Sequence, residues 1–548
     1  MLDEVEDDAV EAPQAAWIKE MSPQEIAHLQ RGYRIRVQRA VAGGNVASGL
    51  YAADQPLLDP KGIDLLHGAA EAGALPERAL HMLLHHHFMR REYDEMNALI
   101  ADESLGHETL RSYHHHALAK YMLLPEGKFA PTLAAWRAAD PGSLTRIAFQ
   151  HLLLIHAAEE EGFDWIMSWV EAATDRDIAG IPPRTLFAIV GTLNLADRRD
   201  DSRLILNRAL PHLSAATRLS LLLPARDALG PDHEPDLRTQ NDVLDRLTQV
   251  RHDALHGAPD PVWDWLLDAF PRVTERASVD LMGMREDPDQ MARFGEVIDG
   301  AIRERRPFSY LRLCDGESFL MDVPEGTGIP EMALRDDAAH RMRNWWGEVL
   351  PPREARAIAE RVWEAFRDCD AMGVCTIHRF VRDAIVGQPY GENINDRSMV
   401  QLFHAMDTIM RLDGKIALDE RANQKMFTAE RIQEICAMAE RVVFVGCWTK
   451  EQLRIPAEVE TTWVLVNPRD NMSLDMPEGT RSILRDYDEI AGIVRDASGP
   501  GTVLLLAAGY ASKGLCKVAR DAGAVALDVG SAADRIAGAH TRALVDQL

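Results

Sequence analysis

Residues 504–530 decide the fold, and they read LLLAAGYASKGLCKVARDAGAVALDVG. An apolar run ends at Gly509, a short turn follows, a helical stretch begins near Ala511, and a second apolar run ends just before Gly530. Apolar strands that alternate with helices in this way predict a mostly parallel sheet that is covered on both faces. In open sheets of this kind, ligands bind beyond the carboxyl ends of the strands.

The same alternation extends back along the chain to Phe308. The predicted strands are 308–313, 372–377, 442–447, 461–466, 502–508 and 524–529, with helical stretches between them. The helical candidates include REARAIAERVWEAF, SMVQLFHAMDTIMRL, TAERIQEICAMAER and ASKGLCKVARDAG. We therefore predict an α/β Rossmann-like domain over residues 285–548.

The N-terminal half has a different pattern. Residues 22–275 show helical spacing of apolar residues and little strand-like alternation. Aromatic residues open successive helical units at Tyr93, Phe129 and Phe163, which are 36 and 34 residues apart. A period in the mid-thirties predicts stacked helical hairpins, so this half resembles a tetratricopeptide-like α-solenoid. Residues 1–21 are acidic and are expected to form a disordered tail.

Charge and composition limit the classes of partner and compartment. The chain has 548 residues and a formal net charge of −26, which argues against a nucleic-acid partner. Its six cysteines include no CxxC pair and are expected to be buried thiols in a reducing compartment. We find no signal peptide and no apolar run of about 18 residues, the length that spans a bilayer. A cytoplasmic protein is expected, with peripheral contact at the inner membrane face left open.

The first candidate site is Asp315-Gly316-Glu317, which directly follows the first predicted strand. Two carboxylates at positions i and i+2 of an extended segment can point the same way, and a glycine between them lets the backbone approach a ligand. Such oxygen ligands suit Mg²⁺ or Mn²⁺ bound to a diphosphate. A turn at the end of a strand, without a ligand, is the alternative.

The second candidate site is the turn that includes Gly509, Tyr510, Ala511, Ser512 and Lys513. The free N–H groups at the start of the following helix can face a phosphate, and Lys513 would add a positive charge. The order Ser-Lys-Gly differs from the Gly-Lys-Ser/Thr of a P-loop. A glycine turn between a strand and a helix, without a ligand, is again the alternative.

These two sites, taken in order, resemble motifs of the GT-D-fold glycosyltransferases. That family opens with Arg-x-Gly-Asp-Gly-Glu at a strand end, which here is residues 312–317. It closes with a Gly-Pro-Thr-Ala-like turn and a strand that ends in Asp-x-Gly, here residues 509–512 and 528–530. Between them, Pro468, Asn471 and residues 488–490 match a Pro-x-x-Asn and an Asp-x-Ile segment. The resemblance extends from about Phe308 to Gly538, under half of the chain.

The resemblance implies transfer of a sugar from a nucleoside-diphosphate sugar, typically a UDP-sugar, to a glycan or protein acceptor. It places Asp315 and Glu317 at the donor and at its divalent cation, Mn²⁺ or Mg²⁺. It implies that Arg312 steadies the diphosphate or orients a carboxylate, and that the turn at Gly509 lies close to the donor. Asp528 and Glu317 are both candidates for a general base, and the sequence does not choose between them.

Other positions extend or weaken the resemblance. Arg379 follows His378 where the family often has a Ser-Arg pair, which makes Arg379 a second candidate for phosphate binding. Cys314, Tyr510 and Ser531 stand where the family often has Gly, Pro and His. These departures keep open a catalytically inactive scaffold with a nucleotide-binding half. A further alternative is another enzyme of nucleotide or phosphosugar chemistry. The helical half is expected to recruit an acceptor, a partner enzyme or a second copy of the chain.

Overall fold

A computed structural model describes the C-terminal half of the chain and parts of the N-terminal half. The described residues are 60–72, 79, 83, 153, 162–181, 183–196, 198–213, 218, 240–277, 288–346, 349–375, 380, 389–408, 412, 414–420, 422–468, 476–477 and 479–537.

Helices form all the regular structure described before residue 288. They are α1 (Pro60–Glu71), α2 (Gly162–Ala172), α3 (Asp175–Ala179), α4 (Pro183–Leu195), α5 (Arg199–Ala209), α6 (Gln240–Ala254) and α7 (Pro261–Ala277). Helices α2 to α5 share one hydrophobic cluster, in which Phe163 is buried. Phe163 therefore opens a helix, as predicted. The units at Tyr93 and Phe129 lie outside the described residues, so the solenoid remains a prediction.

Helices and strands alternate from residue 288 onward. The strands are β1 (Phe308–Arg312), β2 (Ala371–Val374), β3 (Ile416–Asp419), β4 (Arg441–Gly446), β5 (Thr461–Leu465), β6 (Thr502–Ala507) and β7 (Val525–Asp528). The helices are α8 (Pro288–Arg303), α9 (Glu331–Trp346), α10 (Pro352–Asp368), α11 (Ile394–Thr408), α12 (Ala422–Met426), α13 (Ala429–Met438), α14 (Tyr487–Ala497), α15 (Gly514–Asp521) and α16 (Ser531–Ile536).

The seven strands form one parallel sheet in the order β3-β2-β1-β7-β6-β4-β5. Strand β7 lies between β1 and β6, with Tyr310 opposite Leu527 and Leu506 opposite Asp528. Because all strands are parallel, their carboxyl ends meet at one edge of the sheet. Arg312, Asp528 and the turn after β6 therefore come together at that edge.

Both faces of the sheet are covered, which explains why its strands are continuous apolar runs. Successive side chains of a strand point to opposite faces. Leu311, Leu504 and Leu506 belong to one hydrophobic cluster, whereas Tyr310 and Leu505 belong to a second cluster on the other face.

Helices α6 and α7 pack with the α/β sheet, although the sequence placed them in the helical-repeat range. Their apolar side chains, including Leu247, Trp263 and Phe270, share the cluster that covers one face of the sheet. Phe270 stacks on Phe403 of α11, with ring centroids 5.5 Å apart. The domain ranges remain a prediction, but these two helices contribute to the core of the C-terminal unit.

The six predicted strands are all present, each within one to three residues of its predicted bounds. Strand β3 was not predicted, and neither were helices α8, α9, α12, α14 and α16. The predicted helical stretches correspond to α10, α11, α13 and α15, the last preceded by a short 3-10 turn at Tyr510–Ser512. The predicted parallel α/β architecture is confirmed for the C-terminal region.

Candidate functional site

A buried lysine in the turn after β6 contacts the carboxyl ends of β1 and β7 and the Asp-Gly-Glu segment that follows β1. The Lys513 ammonium donates to the backbone oxygen of Arg312 at 2.7 Å and to the Asp528 carboxylate. It also lies 3.3 Å from Glu317 Oε1. The side chains of these three charged residues are at most 8% exposed. Lys513 therefore holds β1, β7 and the Asp-Gly-Glu segment in one charged cluster.

Arg312 presents a buried cation whose guanidinium has no hydrogen-bond partner among the described residues. Its backbone N–H donates to Asp528 Oδ2 at 3.2 Å, but its guanidinium makes no hydrogen bond or ion pair with any residue that the structure describes. The residue is only 9% exposed, and its Nε is fully buried without a partner. A buried charge without hydrogen bonds is costly, and buried polar groups normally have a partner.

The Asp-Gly-Glu segment forms a 3-10 turn, Asp315–Ser318, at the end of β1. Glu317 closes this turn, because its Oε2 accepts from the Cys314 N–H at 2.8 Å while its own N–H donates to the Cys314 oxygen at 3.0 Å. The turn places the Glu317 carboxylate beside Lys513. The structure does not describe the side chain of Asp315 or the surroundings of Gly316.

Gly509 and Gly530 follow β6 and β7, and neither carries a side chain that could cover the backbone at these turns. Gly509 has φ +74°, and no heavy atom lies within 4 Å of the place where its Cβ would be. Gly530 has φ +48°, and a Cβ there would lie 3.6 Å from Arg312 Nη2 and 3.7 Å from Asn423 Nδ2. Both backbones adopt the left-handed region that glycine tolerates. A ligand can therefore approach the backbone closely at these turns.

The turn after Gly509 contains the other predicted residues. Ser512 Oγ donates to the Gly509 oxygen at 2.7 Å, and Tyr510, Ala511 and Ser512 are buried. Ser512 thus stabilises the turn, and its Oγ does not point freely into the site.

Strand β3 adds polar groups that the sequence analysis missed. Asp419 ends β3, Glu420 follows it directly and Asn423 lies in the first turn of α12, and all three are buried. Glu420 accepts a hydrogen bond from the Cys375 thiol at 3.0 Å. Asn423 donates from Nδ2 to the Val529 oxygen at 3.3 Å, and its Oδ1 has no partner among the described residues. The strand that positions these groups was not predicted, so no sequence signal placed them here.

Electrostatics keep both cations of the site charged. Burial opposes the charge of Arg312, but electrostatic interactions with Cys314, Glu317, Asp528 and Glu420 outweigh it and raise the pKa of the guanidinium. Burial likewise opposes the charge of Lys513, and Asp528 and Glu317 outweigh it, so the pKa of the ammonium is raised above its usual value. Two fixed positive charges therefore stand at the carboxyl edge of the sheet at neutral pH.

The donors of the site fit a divalent cation in their chemistry, because carboxylate oxygens suit Mg²⁺ and Mn²⁺. Within the described part of the chain, however, no three His, Cys, Asp or Glu side chains are grouped to hold a metal. Glu317 is already engaged by Cys314 and Lys513. A cation site therefore needs Asp315, and the metal remains a prediction.

Comparison with known families agrees with this geometry. Residues 290–536 match the family model of the GT-D fold-like domain. The match includes all seven strands and every site residue placed above, and it covers a little under half of the chain. No curated protein and no solved structure matches the chain. The GT-D-like domain thus has a fold of the glycosyltransferase type.

Most of the predicted site residues in the GT-D-like domain lie together. Arg312, Glu317, Lys513 and Asp528 form one cluster, and the Gly509 turn contributes Lys513 to it. Arg379 lies outside the described residues, so its position relative to this cluster remains a prediction. The roles of these residues in binding and catalysis also remain predictions.

Proposed function

We propose that the chain transfers a sugar from a nucleoside-diphosphate sugar, of the UDP-sugar class, to a glycan or protein acceptor. The observation that carries this proposal is the buried guanidinium of Arg312 at the carboxyl edge of the sheet, which has no hydrogen-bond partner among the described residues. The match of residues 290–536 to the GT-D fold-like domain supports the same reaction class.

The chemistry of glycosyl transfer suits a site with this charge. Breaking the bond between the sugar and the diphosphate leaves negative charge on the diphosphate. Positive groups that are already in place stabilise such charge without reorganisation during the reaction. In this proposal, Arg312 binds the diphosphate directly, and Lys513 adds a fixed positive charge while it positions Glu317 and Asp528.

We also propose that Asp315 and Glu317 bind a divalent cation, Mn²⁺ or Mg²⁺. When bound, the cation would supply further positive charge to the diphosphate. Because no three candidate metal ligands are grouped among the described side chains, Asp315 would have to provide one of the ligands. Chelation should then remove donor turnover, and added Mn²⁺ or Mg²⁺ should restore it.

The acceptor and the helical half belong to the same proposal. We propose that the N-terminal helices recruit the acceptor, a partner protein or a second copy of the chain. No helix within the described residues is long and apolar enough to cross a membrane.

The first experiment screens the purified chain against nucleoside-diphosphate sugars, with Mn²⁺, with Mg²⁺ and with chelator. It measures the melting temperature and the release of nucleoside diphosphate. A donor that binds the folded state should raise the melting temperature by mass action. The key variant is Arg312→Gln, and we expect its donor affinity to fall about tenfold or more, because a charge-assisted bond contributes about 1.5–3 kcal/mol.

Arg306→Gln is the matched control. Arg306 precedes β1 at the opposite end of the strand, is half exposed, and pairs only with Glu304 among the described residues. It should leave donor affinity unchanged. Asp315→Ala and Glu317→Gln should remove turnover while the protein stays folded, and full activity in both variants would contradict their assigned role.

A nucleotide-binding scaffold is the second candidate function. It is favoured by the pairing of Lys513 with both Glu317 and Asp528, the two candidates for a general base. The same screen separates the two functions, because a scaffold would bind the nucleotide and release no diphosphate from any donor.

A further inference from the structure

Four aromatic side chains stand beside the charged cluster and form what we call the aromatic wall: Phe319, Trp345, Trp346 and Tyr510. The Tyr510 ring stacks on Trp345 at a centroid distance of 5.7 Å and an interplanar angle of 25°. It meets Phe319 edge-on at 5.1 Å. The two tryptophan rings are 6.1 Å apart and inclined by 63°.

The aromatic wall borders the site through two of its members. Tyr510 immediately follows Gly509 and stands three residues before Lys513, in the turn that the proposed function places at the diphosphate. Phe319 follows the Asp315–Ser318 turn and lies two residues after Glu317. These two members of the wall thus adjoin the same two turns that carry Glu317 and Lys513.

The two tryptophans give the wall an accessible surface. Phe319 is 1% exposed and Tyr510 is 3% exposed, whereas Trp345 and Trp346 are both partly exposed. Both tryptophans lie at the end of α9. Two hydrogen bonds from Arg397 to Asp337, at 2.6 and 2.7 Å, fasten α9 to α11. The helix that carries both indole rings is therefore fastened to α11.

Tyr510 also carries a polar group that lacks a partner in the described part of the chain. Its hydroxyl is buried and makes no hydrogen bond with any residue that the structure describes. Burial raises the pKa of this hydroxyl well above its usual value, so it remains a hydrogen-bond donor at neutral pH. A buried hydroxyl of this kind normally finds a partner, which here would have to be water or a ligand.

We propose that the aromatic wall binds the nucleobase of the donor by stacking, with the Tyr510 hydroxyl meeting a polar edge of the base. This inference rests on the proposed function, because it takes the diphosphate to lie at Arg312 and Lys513. A ribose then separates the base from the phosphates, so the base lies next to the turn that carries Tyr510. Every base has a flat aromatic face, and stacking on a side chain contributes about 1–3 kcal/mol per base.

The test compares three probes by calorimetric titration of the full chain: UDP, inorganic pyrophosphate and UDP-glucose. The variants are Trp345→Leu, which removes a stacking surface, and Tyr510→Phe, which keeps the ring and removes only the hydroxyl. Trp463→Leu is the matched control. Trp463 is also partly exposed, but it lies on the edge strand β5, where it stacks on Phe444 at 4.3 Å.

We expect Trp345→Leu to weaken UDP binding about tenfold and UDP-glucose binding equally, with pyrophosphate binding unchanged. Tyr510→Phe should weaken UDP binding by about threefold to tenfold. Trp463→Leu should leave the affinity for all three probes unchanged.

Three results would overturn this inference. Unchanged UDP affinity in both wall variants would show that no base stacks there. Weaker binding of UDP-glucose alone would assign the wall to the sugar. An equal loss of pyrophosphate affinity would show that the substitutions disturb the phosphate site. A wild-type chain that binds none of the probes would instead refute the proposed function, and this inference with it.

Discussion

Lys513 is the residue on which the charged cluster depends for its stability. The substitution Lys513→Met would leave the carboxylates of Glu317 and Asp528 buried without their shared cation. Breaking a buried ion pair by removing one partner costs about 3–5 kcal/mol. We expect the free energy of unfolding, measured by urea titration, to fall by about that amount.

A surface lysine of the neighbouring helix provides the control for this substitution. Lys517 lies on α15, is partly exposed, and its Nζ stands 2.7 Å from Asp368 and 2.9 Å from Asp521. Lys517→Met should cost less than about 1 kcal/mol, because exposed pairs contribute little. Equal losses in the two variants would show that Lys513 is not the buried centre of the cluster.

Gly373 allows β2 to lie against the side chain of Tyr310. A Cβ at Gly373 would lie 2.9 Å from Tyr310 Oη, and Tyr310 is fully buried. Gly373→Ala should therefore lower the free energy of unfolding by about 1–3 kcal/mol, the usual cost of overpacking a core. The Tyr310 hydroxyl has no partner among the described residues. In the double variant Gly373→Ala/Tyr310→Phe, removing the hydroxyl should thus restore most of the lost free energy of unfolding. If the effects of the two substitutions simply add, this explanation is contradicted.

At the scale of the elements, one loop residue fastens α6 and α7 to the GT-D-like domain. The Asp260 carboxylate accepts from Arg251 at 2.7 Å, from the Tyr390 N–H at 3.0 Å and from the Trp263 N–H at 3.3 Å. Arg251 also lies over the rings of Trp263 and Tyr390. The carboxylate thus joins the two helices to the segment that leads into α11.

Asp260→Ala should lower the free energy of unfolding of the full chain by about 3–5 kcal/mol, because it leaves the buried Arg251 without this carboxylate. Asp264→Ala is the control, since Asp264 lies one turn later on the exposed face of α7. It should cost less than about 1 kcal/mol. If the two variants unfold at the same urea concentration, Asp260 does not join these helices to the domain.

The sequence predicted the strands well because buried parallel strands are long apolar runs. Strand β3 was the exception: it has four residues, Ile416–Asp419, and follows Gly414-Lys415, so it lacks a distinctive run. Missing β3 also meant missing Glu420, which directly follows the strand, and Asn423 in the helix after it. Arg312 and Glu317 were predicted from a motif next to a strand. The pairing of Glu317 and Asp528 with Lys513 could not be predicted, because it depends on the order of β1, β7 and β6 in the sheet.

At the scale of the whole molecule, all six cysteines lie within the GT-D-like domain and are buried. They therefore report on the folding of that domain, including the core to which α6 and α7 contribute. Burial raises the pKa of the Cys369 and Cys436 thiols to about 12. It also raises the pKa of Cys447 and Cys516 above the usual range. Because the thiolate is the reactive form, folding should protect these cysteines from alkylation.

The raised thiol pKa values also predict how stability depends on pH. In the unfolded chain, the thiols lose their protons near pH 8.5, whereas in the folded domain Cys369 and Cys436 keep theirs up to about pH 12. Stability from the protonated thiols is therefore complete below pH 8.5 and is lost progressively as the pH rises towards 12. Urea titrations at pH 8 and pH 10 should show a lower unfolding midpoint at pH 10. Iodoacetamide at pH 8 should label the native chain slowly. It should label all six thiols of the chain that is unfolded in guanidinium. Rapid labelling of the native chain, or an unfolding midpoint that rises with pH, would contradict the burial of these cysteines.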